Sequence, residues 1–205
     1  MFRISLTTLA LLGALNSAAA TTEQQPIDVL REHVAAGIAV LSSDATKTAE
    51  NYIAQQQQLC AIARERFDLY AFSRLVLAGN WREFSGPQQN EFVDVFGEFL
   101  CRYYLGRLQA HYSNEHVSFD GQTIKTANRA SVAVMVEWRD LNIPIEVRMT
   151  RRGGQWKAYD IVMAGISGVM IYRAQFEALL VESSPADVIK ELQRRIDKQP
   201  DGPLE

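Results

Sequence analysis

Apolar residues recur at helical spacing through the first half of the chain, alternate through the third quarter and return to helical spacing near the end. That order predicts helices, then strands, then helices. From Pro26, the positions Ile27, Leu30, Val34, Ile38 and Leu41 mark one helix face. A second helix is expected over about 45–64 on Ala49, Tyr52, Ile53, Leu59, Cys60 and Ala63, with Gln55-Gln56-Gln57-Gln58 as a solvated face. Asp68 can cap a short helix through Leu77 that ends near Gly79. Ser85 and Gln88, with Pro87 between them, form a capping-box start. One long helix should follow, striped by Phe92, Val95, Phe96, Phe99, Leu100, Tyr103, Leu108 and Tyr112.

Near Asn114 the period becomes two. Val132, Val134, Val136 and Trp138 alternate with Ser131, Ala133, Met135 and Glu137; Ile143, Ile145, Val147 and Met149 alternate with Glu146, Arg148 and Thr150. Tyr159, Ile161 and Met163 continue the pattern beyond an Arg152-Gly153-Gly154 hairpin turn. Pro144 places the start of its strand at an edge or a bulge. A weaker strand or two is expected within 115–126, around a turn at Asp120-Gly121. Such alternation implies an antiparallel sheet with one apolar and one wet face. After Gly165, Val169, Tyr172, Phe176 and Leu180 return to helical spacing, and Ser184-Pro185-Ala186-Asp187 caps a last helix carrying Val188, Ile189, Leu192 and Ile196. With no repeat and no linker, these elements make a single α+β domain over residues 21–199, followed by a frayed tail at 200–205.

The first twenty residues read as an address. Met1-Phe2-Arg3 is a short basic start, Ile4 to Leu15 is apolar, and Asn16-Ser17-Ala18-Ala19-Ala20 ends in small residues. That is the form of a secretory signal peptide cleaved after Ala20. A bilayer span takes about 20 apolar residues, more than this stretch supplies. Export bears on the cysteines, because oxidising compartments favour pairing. Cys60 and Cys101 fall on two predicted helices; a bridge between them and two separate buried thiols both remain open.

The chain has 205 residues, 47% hydrophobic and 22% charged, with a net charge of -3. That balance lacks the basic footprint of a nucleic-acid binder. His33, His111 and His116 show no metal-ligand spacing, so no metal or other cofactor is expected. No HExxH, GxSxG, P-loop or GxGxxG occurs, and Glu137 and Asp160 read as structural carboxylates, so no catalytic residue is assigned. Arg194-Arg195 reads as part of a solvated helix face. What remains is abundant apolar surface, and periodicity alone does not separate a filled core from a lined cavity.

Two stretches carry a family resemblance. The first is Phe67-Asp68, Leu75-Val76-Leu77, Trp81 and Gln88-Gln89 leading to Glu91-Phe92, Phe96, Leu100 and Tyr104. The second is Trp156-Lys157-Ala158-Tyr159-Asp160-Ile161-Val162, then Gly165-Ile166-Ser167 and Tyr172-Arg173 with Gln175-Phe176. Their order and spacing resemble the MlaC-type, or toluene-tolerance auxiliary, family of periplasmic phospholipid-binding proteins over roughly residues 27–196. Two positions depart from the family's pattern: Ala78 stands where the family usually has Gly, and Ala164 where an acidic residue is common.

The resemblance implies a helical layer on a curved antiparallel sheet, enclosing a hydrophobic cavity for acyl chains. It further implies a monomeric periplasmic carrier, not an enzyme, that moves phospholipid between an inner-membrane ABC transporter complex and an outer-membrane lipoprotein–porin complex and so maintains outer-membrane lipid asymmetry. Other apolar cargo (a hopanoid or a fatty acid) or a chaperone-like role is the alternative. Exposing ~30 methylenes at about 0.8 kcal/mol each costs on the order of 24 kcal/mol, so lipid does not cross water unaided. On this reading the cavity wall comprises Val132, Val134, Val136 and Trp138, then Val147 and Met149, then Tyr159, Ile161 and Met163. The helices add Phe96, Phe99, Leu100, Tyr103, Ile166, Val169 and Met170.

Overall fold

A computed structural model describes residues 24–43 and 49–199. The leader expected over 1–20, the start of the second predicted helix at 45–48 and the tail at 200–205 lie outside the described residues.

The helical half begins with α1 (Pro26–Leu41) and α2 (Ala49–Arg66). Then α3 (Leu69–Leu77) starts where the Asp68 carboxylate accepts the Ala71 N–H at 2.9 Å. A 3₁₀ turn (Ala78–Glu83) links it to α4 (Gly86–Leu100), whose Ser85–Gln88 capping box is formed as the sequence predicts. The Gln89 amide holds this turn by donating to the Trp81 and Phe84 carbonyls.

The long helix expected through Tyr112 is broken. A π turn at Cys101–Leu105 separates α4 from α5 (Gly106–His111). The break sits against α2. The Tyr52 hydroxyl donates to the Gly106 carbonyl at 3.0 Å, and a Cβ on Gly106 would lie 2.8 Å from the Gln56 amide nitrogen. Cys60 on α2 and Cys101 at the first residue of the π turn are joined in a disulfide, with Cα atoms 5.6 Å apart. The turn thus lets one chain segment meet three α2 side chains, a common use of π geometry.

The same contact corrects the glutamine run. Gln57 and Gln58 are exposed, but Gln55 is buried, donating to the Val40 carbonyl and accepting from the Gln109 amide at 2.6 Å. Gln109 Nε2 donates both to Gln55 and to the Tyr52 carbonyl, while the buried Gln109 Oε1 has no hydrogen-bond partner among the described residues.

Five antiparallel strands follow in the order β1-β2-β3-β4-β5: β1 (His116–Thr126), β2 (Arg129–Trp138), β3 (Leu141–Arg152), β4 (Gln155–Met163) and β5 (Ile166–Ser167). The β3–β4 hairpin turns on Gly153 and Gly154, both at positive φ. Asp120-Gly121 is not a turn; β1 runs through it with a bulge, which Gly121 permits at φ 140. Pro144 is not at a sheet edge either, since β3 lies between β2 and β4. Its carbonyl accepts the Ala164 N–H just past the last β3–β4 pair, so its missing donor faces the side where that ladder ends.

The outer edge of β4 is covered twice. Phe67 makes a parallel bridge with Ala158, with the Asp68 N–H donating to the Ala158 carbonyl at 2.7 Å, and β5 pairs with Val162 and Met163. From β5 the chain enters α6 (Gly168–Leu180) and then α7 (Pro185–Asp197), which opens on a Ser184–Asp187 capping box. Arg173 of α6 donates twice to the Leu75 carbonyl in the last turn of α3, where helix carbonyls lack ladder partners.

Apolar burial falls into two clusters. One is a helical core of Phe72, Phe92, Phe96, Tyr172 and Phe176 with aliphatic side chains of α3, α6 and α7. The other lies on one face of the sheet under α1, around Val132, Val134, Val147 and Met149. Phe67 packs against both.

Candidate functional site

Strand register assembles an apolar surface that no single strand shows. Phe119, Val134, Ile145, Met163 and Ile166 stand opposite one another in succession, one residue from each of the five strands. The next row is Val132, Val147 and Ile161, and a shorter one is Val117, Val136 and Ile143. Side chains directly opposite on neighbouring strands share a face, so these rows form one apolar plane.

Burial across that plane is graded. α1 covers the β1–β2 side, where Ile27, Val29 and Leu30 pack and the Ile27 N–H donates to the Gln122 side chain at 2.9 Å. Val132 is 0% exposed and Val147 7%, yet Ile161 in the same row is 42% exposed. Along the five-strand row, Val134 is 6% exposed, whereas Met163 and Ile166 reach 51% and 60%. Met170, in the first turn of α6, is also exposed. The apolar face is therefore closed at one end and open to solvent at the β4–β5 end.

Apart from Met170, exposed in the first turn of α6, the side chains expected to line a lipid cavity divide into four groups. Val132, Val134, Val136, Val147, Ile161, Met163 and Ile166 share the plane, and Met149 and Trp138 extend it at its two ends. Phe96 and Val169 are packed inside the helical core; the Phe96 ring is surrounded by Phe72, Phe92, Tyr172 and Phe176 at centroid distances of 5.0–5.6 Å. Phe99 belongs to that core and Leu100 and Tyr103 pack at its margin, and Phe99 and Tyr103 line a separate pocket among the helices. Tyr159 leaves the plane altogether. A bulge pairs Arg148 with Asp160 and Met149 with Ala158, which skips Tyr159 and turns it to the opposite face, 4.6 Å beneath the Arg129 guanidinium.

The opposite face holds the sheet's one buried carboxylate among the described residues. Asp160 is 1% exposed and fully engaged: its oxygens accept from Arg148 at 3.0 Å, Ser167 Oγ at 2.7 Å and the Val169 N–H at 3.1 Å. This anchors α6 to the sheet, as a structural carboxylate should. Among the described residues no group of three or more His, Cys, Asp and Glu could hold a metal ion, and no helix is long and apolar enough to cross a membrane.

The helical pocket was not foreseen. Its volume is about 460 Å³, and α2, the α4–α5 junction, α6 and α7 each contribute to its wall. Arg195, read from sequence as solvated, faces it. Tyr172 also lines it, donating to the Tyr104 hydroxyl at 3.0 Å; burial and that bond push its own ionisation well above the ordinary range. Its residues are scattered over some 150 positions of chain, so no local motif could have shown them.

Comparison with known proteins agrees with this architecture. The solved structure of a phospholipid-binding protein from Ralstonia solanacearum, in complex with a phospholipid, superposes with a TM-score of 0.76 at 18% identity, over 86% of this chain and 99% of that one. The toluene tolerance protein ttg2D of Pseudomonas putida is 24% identical over 181 residues, which span 87% of this chain and 80% of the relative. The family model described as MlaC protein matches residues 31–194, nearly the whole described domain, and the chain belongs to the MlaC family.

Proposed function

We propose that this protein is a periplasmic, non-enzymatic carrier of phospholipid. The observation that carries the reading is the half-covered apolar plane. Met163 and Ile166 lie at the uncovered end of an apolar row that continues unbroken to Val134, beneath α1. Soluble proteins seldom leave a contiguous large apolar surface open without a use for it. An acyl chain laid along this row would cover side chains that the fold leaves bare, and each methylene removed from water contributes about 0.8 kcal/mol. Membership of the MlaC family and the fold shared with a phospholipid-bound protein support the same cargo. On this reading the carrier takes lipid between an inner-membrane ABC transporter complex and an outer-membrane lipoprotein–porin complex, and so maintains outer-membrane asymmetry.

The test is native mass spectrometry of protein purified without detergent. A mass increment matching a diacyl phospholipid is expected. A fatty acid or hopanoid increment replaces the cargo, and protein that is wholly ligand-free contradicts the carrier role.

A further inference from the structure

The pocket among the helices has a chemistry that lipid tails do not need. Among the described residues that line it, four are cationic (Arg102, Arg107, Arg195 and Lys198) and none is a carboxylate, in a chain whose acids outnumber its bases, 24 to 21. Glu98 and Glu191 hold Arg102 and Arg195 from outside the wall, each through the guanidinium Nε, at 2.9 and 2.8 Å. Among the described residues, even with these two counted, cations exceed carboxylates by two. The Arg107 guanidinium lies 3.7 Å from the Tyr103 ring centroid and donates to the Tyr103 carbonyl, which fixes it at the wall.

Electrostatics and size select the ligand class. Clustered cations on a concave wall favour an anion, and planar guanidinium groups match the oxygens of phosphate. The volume, about 460 Å³, is in the lower half of the usual range for small-ligand sites, roughly 300–1,000 Å³. Aromatic rings on the same wall, from Phe99, Tyr103 and Tyr172, suit an ester carbon skeleton beside the charge.

We propose that this pocket binds a phosphate ester, the chemistry shared by a phospholipid headgroup and a free organic phosphate. The headgroup version rests on the carrier reading above; the free-phosphate version does not.

The experiment uses lipid-stripped protein, titrated calorimetrically with inorganic phosphate, glycerol 3-phosphate, dihexanoyl phosphatidylglycerol and uncharged dihexanoylglycerol. Arg107→Gln and Lys198→Gln are tested alongside, with circular dichroism confirming the fold. The expected result is that each substitution weakens binding of phosphate-bearing ligands about tenfold and leaves dihexanoylglycerol unchanged. Added salt should weaken the same ligands. Glycerol 3-phosphate binding with the phosphatidyl ligand's sensitivity assigns a free ester; sensitivity confined to the phosphatidyl ligand assigns a headgroup. Equal affinity for charged and uncharged ligands, or indifference to both substitutions, overturns the site. Lipid found in wild-type protein in the mass measurement above would survive that failure, so the two ideas fall separately.

Discussion

Arg148 and Asp160 stand directly opposite each other on β3 and β4, 3.0 Å apart, on the face turned away from the apolar rows. Asp160 ties sheet to helix, because it also accepts from Ser167 and from the first turn of α6. Asp160→Ala would leave a buried hydroxyl, a backbone N–H and a half-exposed guanidinium without this acceptor. We expect it to lower unfolding free energy by about 2–4 kcal/mol, read as an earlier urea midpoint at unchanged slope. Asp160→Asn keeps the shape and should cost less.

Ala78 ends α3 at φ 49 and ψ -116, a backbone region that favours glycine. The neighbouring Gly79 is not at positive φ and has nothing within 4 Å of where a Cβ would stand, so the glycine lies one residue late. Ala78→Gly should raise stability by about 1–2 kcal/mol. Gly79→Ala should leave it level or slightly raised. Thermal melts of both variants check this, and a lower midpoint for Ala78→Gly contradicts it.

The Cys60–Cys101 disulfide closes a loop with a sequence separation of 41 residues. Loop-closure entropy alone makes such a link worth roughly 4 kcal/mol. Reduction should therefore lower the melting midpoint of the wild-type protein. The Cys60→Ser/Cys101→Ser variant should already melt at the lower temperature and ignore the reductant.

Stability should fall on mild acidification through one histidine. Burial lowers the His33 pKa from 6.5, and the nearby Arg66 lowers it further, against weaker opposition from Glu65 and Glu32. The unfolded chain then takes up the proton first. Stability is full above 6.5 and declines as pH drops below it, until folded His33 itself protonates. His33→Gln should flatten that part of the profile, measured as urea midpoints between neutral and mildly acid pH.

Legibility followed how local each determinant is. The Ser85 capping box, the Ser184 and Asp68 caps and the Gly153-Gly154 hairpin each depend on residues within a few positions, and all form as read. The apolar alternation of β2 and β3 fixed which side chains share a face. Features set by distant contacts were not readable. The π turn depends on α2 meeting Gly106; the Tyr159 bulge depends on pairing with Arg148 and Met149; β5 depends on pairing with Val162 and Met163 of β4. Phe96 looked like a wall residue because an aromatic stripe reads the same whether it faces a void or other rings. The cationic pocket draws on helices far apart in sequence, so of its charges only Arg195 stood out in the chain, as part of a solvated face.

The central claim is that acyl chains lie on the apolar plane, at its open end. A substitution test is informative at Met163, which is half exposed and so tolerates change better than the buried Val147. Met163→Glu should leave the fold intact and reduce bound lipid at least about tenfold, since a carboxylate against an acyl chain costs well over 1.4 kcal/mol.

Photocrosslinking tests the location itself. The photoreactive p-benzoylphenylalanine is placed at Met163 in one protein and, in another, at Met135 on the opposite face of β2. Each protein is irradiated with its bound lipid and weighed intact. A lipid adduct at position 163 with none at 135 is the expected result; an adduct at 135 with none at 163 would place the lipid elsewhere and contradict the account.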